Sequence, residues 1–204
     1  MTENPIILVG GGGHCGSVID VLLSANIPIA GIVHGTSHEF ESLYELPPLG
    51  TDEDLPALRK TYGTALITVG QIKSAEVRKK LFLRAKELNY HLPSILSPFA
   101  RVARYVTIGE GTVIMHHAVV NIGSKIGNNC IINSKALIEH DCIIGDHCHI
   151  AVGAIVCGSV TIGSQTFIGA GVVIREGVTI GERCIIGMGV RIHKDVPDGQ
   201  LVTE

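Results

Sequence analysis

Every sixth residue from Ile108 to Ile192 is isoleucine or valine, fifteen positions without an exception. Two places ahead of each lies a second column, running from Val106 and Thr112 to Cys184 and Val190, in which every residue is small or β-branched. A fixed period of six predicts a parallel β-helix in which each hexapeptide makes one flat face of a triangular prism, so that eighteen residues make one coil. The aliphatic column then fills the prism, and about five coils follow. Coils stacked at the strand spacing of ~4.8 Å put residues eighteen apart side by side on the same face. Glycine follows the aliphatic residue at Gly109, Gly127, Gly145, Gly163 and Gly181, again eighteen apart, which predicts a corner that repeatedly needs a residue free of Cβ constraints. Cys130, Cys142, Cys148 and Cys184 fall in the small-residue column and are read as buried packing residues, since a free thiol behaves much like a small hydrophobe.

The first third has a different pattern. Ile6 to Val9 reads as a buried strand that runs through Gly10-Gly11-Gly12-Gly13-His14-Cys15-Gly16 into the helical pattern Val18, Ile19, Val21, Leu22. Strand, glycine-rich turn and helix start make a phosphate cradle, in which backbone N–H groups and the helix dipole hold an anion without any lysine. Gly11, Gly12, Gly13 and His14 are its candidate substrate-binding residues, and Gly11, Gly13 and Gly16 match GxGxxG. A tight turn without a ligand is the other reading of that motif. Ile29 to Val33 predicts a second strand, which ends in His34-Gly35 and not in the carboxylate that holds an NAD ribose, so a dehydrogenase is disfavoured. A third strand at Ala65 to Val69 and a helix from about Lys73 to Asn89 complete the unit near His91. Leu46 to Gly50, with two prolines, reads as a loop; Asp52 to Lys60 reads as a short helix that opens with acidic residues. The expected architecture is an α/β Rossmann-like βαβ domain over residues 1–92, joined through Leu92-Pro93-Ser94 to a left-handed parallel β-helix over residues 93–204.

With 46% hydrophobic and 17% charged residues, the 204-residue chain has ample material for a core. A net charge of -3 without a basic run argues against nucleic acid as a partner and in favour of a small ligand. Apolar stretches such as Ile27 to Val33 are far short of the ~20 residues that span a bilayer, and no basic segment precedes an apolar one at the N-terminus; no membrane insertion is expected, and a cytoplasmic location is. Six cysteines without CxxC spacing indicate neither a disulfide framework nor a zinc site.

A strand, a GGGGH turn and a helix ahead of a hexapeptide β-helix, with Pro48-Leu49-Gly50-Thr51-Asp52 between them and Ile138-Glu139-His140-Asp141 within it, resembles the bacterial sugar acyltransferases of the PglD/NeuD/VioB type over nearly the whole chain. The resemblance implies an acetyl-CoA-dependent enzyme, a homotrimer with active sites between neighbouring β-helices, and no metal. Members that N-acetylate nucleotide-linked 4-amino sugars carry a His followed by a carboxylate, an Asn seven residues earlier and a His nine residues later; His140, Asp141, Asn133 and His149 match all four. The sialic acid O-acetylating members tend to lose the carboxylate and the second His. N-acetylation of a nucleotide-linked 4-amino-4,6-dideoxy sugar is therefore implied, with His140 as general base and Asp141 as its orienting carboxylate. A neutral imidazole suits the task, because an attacking ammonium must lose a proton near neutral pH. Asn133 would position the amine. Gly158, one coil after His140, would leave room for a pantetheine arm; Gly169, Ala170 and His149 complete the implied donor contacts, with His149 near the thioester.

The chain departs from the family at Val33-His34-Gly35-Thr36, where acidic residues usually help to hold the nucleotide, at Cys15, where Gly or Ala is usual, and after Val196-Pro197, where many members have a Gly-x-Pro-Ala segment. His116, His117, His147 and His193 are read as surface or interface residues. The rival readings are an O-acetyltransferase of a sialic- or legionaminic-type sugar and a γ-carbonic-anhydrase-like metal enzyme, for which His140, His147 and His149 lack a ligand spacing of five. A β-helix scaffold without activity, and a nucleotidyltransferase with only about ninety residues for its catalytic domain, fit less well.

Overall fold

The computed structural model describes residues 5–35 and 44–203, in two compact units: residues 1–70 with 76–93, and residues 71–75 with 94–204. In the first unit β1 (Ile6–Val9), β2 (Ile29–His34), β3 (Pro48–Thr51) and β4 (Ala65–Ile67) form a parallel sheet of order β3-β2-β1-β4. The fully buried run Ile6–Val9 lies between two neighbours, as a continuous apolar strand requires. The helices are α1 (Gly13–Ser24), a single turn α2 (Leu55–Leu58) and α3 (Glu76–Glu87). Leu81, Phe82 and Ala85 of α3 pack on Ile7, Val9 and Ile67 of the sheet.

Three features differ from the expectation. Pro48 opens a strand where a loop was expected; at the first position of an edge strand its missing N–H costs no ladder bond. The acidic helix is a 3-10 turn over Asp52–Asp54 followed by α2, and stops short of Lys60. Its start is fixed by Asp54, whose carboxylate accepts from the Thr51 N–H at 2.8 Å and hydroxyl at 3.1 Å, bonds that hold the Asp54 carboxyl below its usual range. Helix α3 starts at Glu76 and not near Lys73, because residues 71–75 belong with the second unit. Within α3, Arg78 is 1% exposed and donates to the carbonyls of Ile67 (2.7 Å) and Val69 (2.8 Å), which caps the end of β4.

The second unit is a left-handed β-helix of two-residue strands in three parallel sheets of five, seven and six strands. Strands pair with those eighteen residues away, as Ile132 does with Ile114 and Ile150, except in the last coil, where Ile185 pairs with Leu201. The predicted aliphatic column is the interior of the prism, and Ile132, Ile138, Ile150, Ile168 and Ile186 are fully buried.

The glycine column has a steric cause and not a conformational one. At Gly127 a Cβ would lie 2.5 Å from Asp146 Oδ1 and 2.7 Å from the Asp146 nitrogen; at Gly109 it would lie 2.6 Å from Asn128 Oδ1. Those side chains form a ladder along the corner: Glu110 N–H donates to Asn128, Asn128 N–H to Asp146, Asp146 N–H to Ser164, and Glu182 N–H to Asp198, at 2.7 to 3.2 Å. Left-handed φ is confined to the residue two places on, at Gly111, Asn129, His147, Gln165 and Arg183.

The small-residue column is buried as expected, and the structure adds a polar role to it. Cys130 and Cys148 each place their thiol 3.1 Å from a corner carbonyl fifteen residues on, and Thr112, Ser124 and Thr166 do the same with hydroxyls. The Cys148 thiol is pushed well up by its contact with the Cys130 thiol and by burial, which makes it a poor nucleophile.

The outer faces differ in character. Val119, Leu137, Ile155 and Val173 form an apolar row on the six-stranded sheet, between Arg101 and Arg191, whereas the five-stranded sheet presents Thr107, Lys125, Ile143, Thr161 and Thr179.

The ladder separates two kinds of glycine by stability. Gly127→Ala, which forces a Cβ onto Asp146, is expected to destabilise by about 2 kcal/mol or more. Gly177→Ala, at a left-handed corner with open space around it, is expected to cost about 1 kcal/mol. Thermal unfolding of the two variants checks the order.

Candidate active site

His140 and Asp141 lie at the corner between the strands Leu137–Ile138 and Ile143–Ile144. Asp141 has φ 59°, a left-handed conformation that aspartate tolerates better than most residues. That turn brings its Oδ2 within 2.9 Å of Nδ1 of the preceding His140. A carboxylate only accepts, so in a neutral imidazole the hydrogen resides on Nδ1 and the lone pair on Nε2. Glycines on either side make room for the pair: a Cβ at Gly123 would collide with Asp141 Oδ1, and one at Gly158 would lie 2.5 Å from His140 Nε2. The space that Gly158 opens is thus taken by the imidazole itself. Both side chains face solvent, 56% and 67% exposed.

Asn133 and His149 form a second pair. Asn133 sits at the corner that opens the face closed by His140, so the two are at opposite edges of one face, on the order of 15 Å apart along the chain. His149, on the strand His149–Ile150 of the seven-stranded sheet, is 7% exposed. Its Nε2 is 3.1 Å from Asn133 Nδ2, its Nδ1 is bonded to the backbone carbonyl of Gln71, and Phe167 packs edge-on at 5.2 Å. Gln71 was not singled out in the sequence; it lies 78 residues from His149, and no local pattern signals such a contact. Gly169 and Ala170 occupy the Asn133 corner two coils on, where a Cβ on Gly169 would press within 2.7 Å of Gly187 and Met188.

The glycine turn lies at the end of β1, where the strand order of the first sheet reverses, the place where such sheets take ligands. Helix α1 has Gly12 as its N-cap, with no side-chain cap and no acidic residue in its first turn. Gly12 and Gly13 face open space, with nothing within 4 Å of where a Cβ would stand. The first-turn N–H groups and the positive end of the dipole therefore meet open space, an arrangement suited to an anion. His34 leans over Gly11 (2.6 Å from a Cβ there), His14 lies against Gly70 (3.3 Å), and Tyr44 covers Gly16 (2.9 Å). An imidazole thus stands where a ribose-binding carboxylate would; Thr36 lies outside the described residues. Cys15 is turned into the core, where burial raises its thiol pKa.

The remaining histidines are dispersed. His116 Nδ1 is 2.6 Å from Ser97 Oγ, and His147, 8% exposed, has Nδ1 3.0 Å from Asn129 Nδ2. Among the described residues no group of three or more His, Cys, Asp or Glu is placed to hold a metal ion; His140, His147 and His149 occupy two different corners and a face. Nor is any helix among them long and apolar enough to cross a membrane.

The family model of bacterial transferase hexapeptide (six repeats) matches residues 123–158 and 159–194. PerB of Caulobacter crescentus, solved with CoA and GDP-perosamine, superposes with a TM-score of 0.91 at 31% identity over 98% of this chain and 94% of that one, and a point mutant of this perosamine N-acetyltransferase gives 0.92. The chain belongs to the PglD/PerB-like hexapeptide-repeat sugar N-acetyltransferases. The acetyltransferase domain of PglB from Neisseria gonorrhoeae, in complex with acetyl coenzyme A, gives a TM-score of 0.91 at 29% identity over 98% of this chain and 96% of that one. No curated protein sequence matches. The His140–Asp141 corner and the Asn133–His149 pair hold the four β-helix residues singled out in the sequence.

The position of Gly158 under the imidazole has a separable consequence. In Gly158→Ala the exposed ring can swing aside, so the thermal midpoint is expected to change little, while acetyl transfer is expected to fall by about tenfold or more because the His140 imidazole is displaced. Unfolding and turnover of the one variant, measured together, check it.

Proposed function

We propose that the chain transfers the acetyl group of acetyl-CoA to the amino group of a nucleotide-linked 4-amino-4,6-dideoxy sugar, with His140 as general base. The observation that carries this reading is the His140–Asp141 pair, which holds an exposed imidazole with its lone pair on Nε2. The amine attacks the thioester carbonyl, a C–N bond forms, and Nε2 takes the amine proton. As the C–S bond breaks, that proton is returned to the leaving thiolate. Asp141 holds the ring in the productive tautomer and stabilises the imidazolium. Gly11, Gly12, Gly13 and His14 hold the phosphates of the nucleotide. The ligands of the relatives, GDP-perosamine with CoA and acetyl coenzyme A, support the substrate class.

Asn133 and His140 are too far apart along one face to meet at one reacting carbon, so a site that uses both draws them from two copies. The face between those two corners carries the apolar row Val119, Leu137, Ile155 and Val173. Three copies that pack this face around a common axis bury the row and bring the His140 corner of one copy to the Asn133 corner of the next. The pantetheine arm then passes beside Gly169 and Ala170 and not over Gly158, whose open side the His140 ring occupies. The enzyme works in the cytoplasm, in keeping with six cysteines that form no disulfide.

The test is CoA release from acetyl-CoA with a panel of UDP-, dTDP- and GDP-linked 4-amino sugars, with hydroxyl sugars and sialic acids as controls. Turnover on an amino sugar is expected, with a loss of about 10³-fold in His140→Ala while the trimer and acetyl-CoA binding persist. Wild-type kcat in that variant, or turnover on hydroxyl acceptors alone, overturns the proposal.

A further inference from the structure

The hydrogen bonds around His149 admit one arrangement of protons. The Gln71 carbonyl can only accept, so His149 Nδ1 must carry a hydrogen. Asn133 Oδ1 is already fixed, because it accepts from the Ser134 N–H at 2.8 Å, and the Asn133 amide therefore turns its NH₂ towards His149. Nε2 must then be a lone pair. Ser134, Asn133, His149 and Gln71 form a consistent relay only with the neutral Nδ1–H tautomer, for a protonated ring would set N–H against N–H. Burial and the edge-on Phe167 ring hold the imidazole in that plane.

We infer that His149 is a positioning residue: it fixes the Asn133 amide so that the second Nδ2 hydrogen is presented to the carbonyl oxygen of the acetyl group under attack. This rests on the acetyl-transfer reading above. An N–H donor is mismatched to the hydrogens of an amine and well matched to a carbonyl oxygen that gains negative charge as the tetrahedral intermediate forms. The relay matters because an amide is nearly symmetric in shape. Without His149 only the Ser134 N–H still holds the Asn133 amide, and the side chain turns over more readily to offer its oxygen, which repels that charge. With both of its nitrogens engaged inside the chain, His149 acts through Asn133 and not on the donor directly.

The experiment compares steady-state kinetics of His149→Ala, Asn133→Ala, the double variant and His149→Gln, whose amide oxygen can replace the Nε2 lone pair. His149→Ala and Asn133→Ala are each expected to lower kcat by about a hundredfold, with KM for acetyl-CoA changed by less than about threefold. The double variant should be no slower than Asn133→Ala, and His149→Gln should recover to within about fivefold of wild type. Multiplicative losses in the double variant, a His149→Gln as slow as His149→Ala, or a rise in KM with kcat intact overturns the proposal. Ring ¹⁵N signals of His149 in the wild-type protein test the relay without any acceptor: Nδ1 should be protonated, and Asn133→Ala should shift Nε2. A hydrogen on Nε2 overturns the relay even if acetyl transfer is confirmed. A wild type that acetylates nothing defeats the acetyl-transfer reading, and with it the proposed role, while the ring signals still report on the relay.

Discussion

Register between coils is the constraint on which this molecule depends. Two-residue strands are too short to be stable alone; each is held by backbone hydrogen bonds to the strands eighteen residues before and after it, and by the Ile or Val that it sends into the prism. The corners obey the same arithmetic. Asn128, Asp146, Ser164 and Asp198 each close the N–H of the coil below, and the glycines beside them exist because those side chains leave no room for a Cβ. The thiols and hydroxyls of the inner column satisfy corner carbonyls that would otherwise be buried without a partner, at a modest gain per bond but a larger loss if left unmade.

The chemistry is built by small departures from that regularity. Asp141 occupies a left-handed corner position filled elsewhere by Tyr105, Gly123, Ser159 and Gly177. The turn that any coil must make there is what aims its carboxylate at His140. Gly123 and Gly158 clear the space above and below. No special backbone is needed, and the exposed, hydrogen-bonded imidazole costs the core nothing.

How much of this could be read from the sequence depended on how local each feature is. The two columns, the corner glycines and the Ile6–Val9 strand with its glycine turn are repeats or contiguous runs, and periodicity reveals them. The set Asn133, His140, Asp141, His149 was visible only through its resemblance to a family pattern, and its division into two pairs at opposite edges of a face was not, because that needs the prism. The strand at Pro48 was hidden by two prolines that an edge position accommodates. The burial of Arg78 was hidden as well: a charge on an amphipathic helix reads as solvated until its two carbonyl partners are placed. The contact of His149 with Gln71 joins distant segments through a backbone atom, which leaves no trace in side-chain type.

The ladder also governs how such a chain can change in length. Because the strand pairs and corner bonds before the last coil run from one residue to its equivalent eighteen positions on, loss or gain of a whole coil leaves all later residues in phase. A change of six would preserve the packing pattern yet carry each following corner one third of a turn round the prism. Residues that now share an edge of the molecule would be dealt to different edges. Evolution of this scaffold is therefore quantised, with whole coils as the unit that keeps a groove continuous from one end to the other.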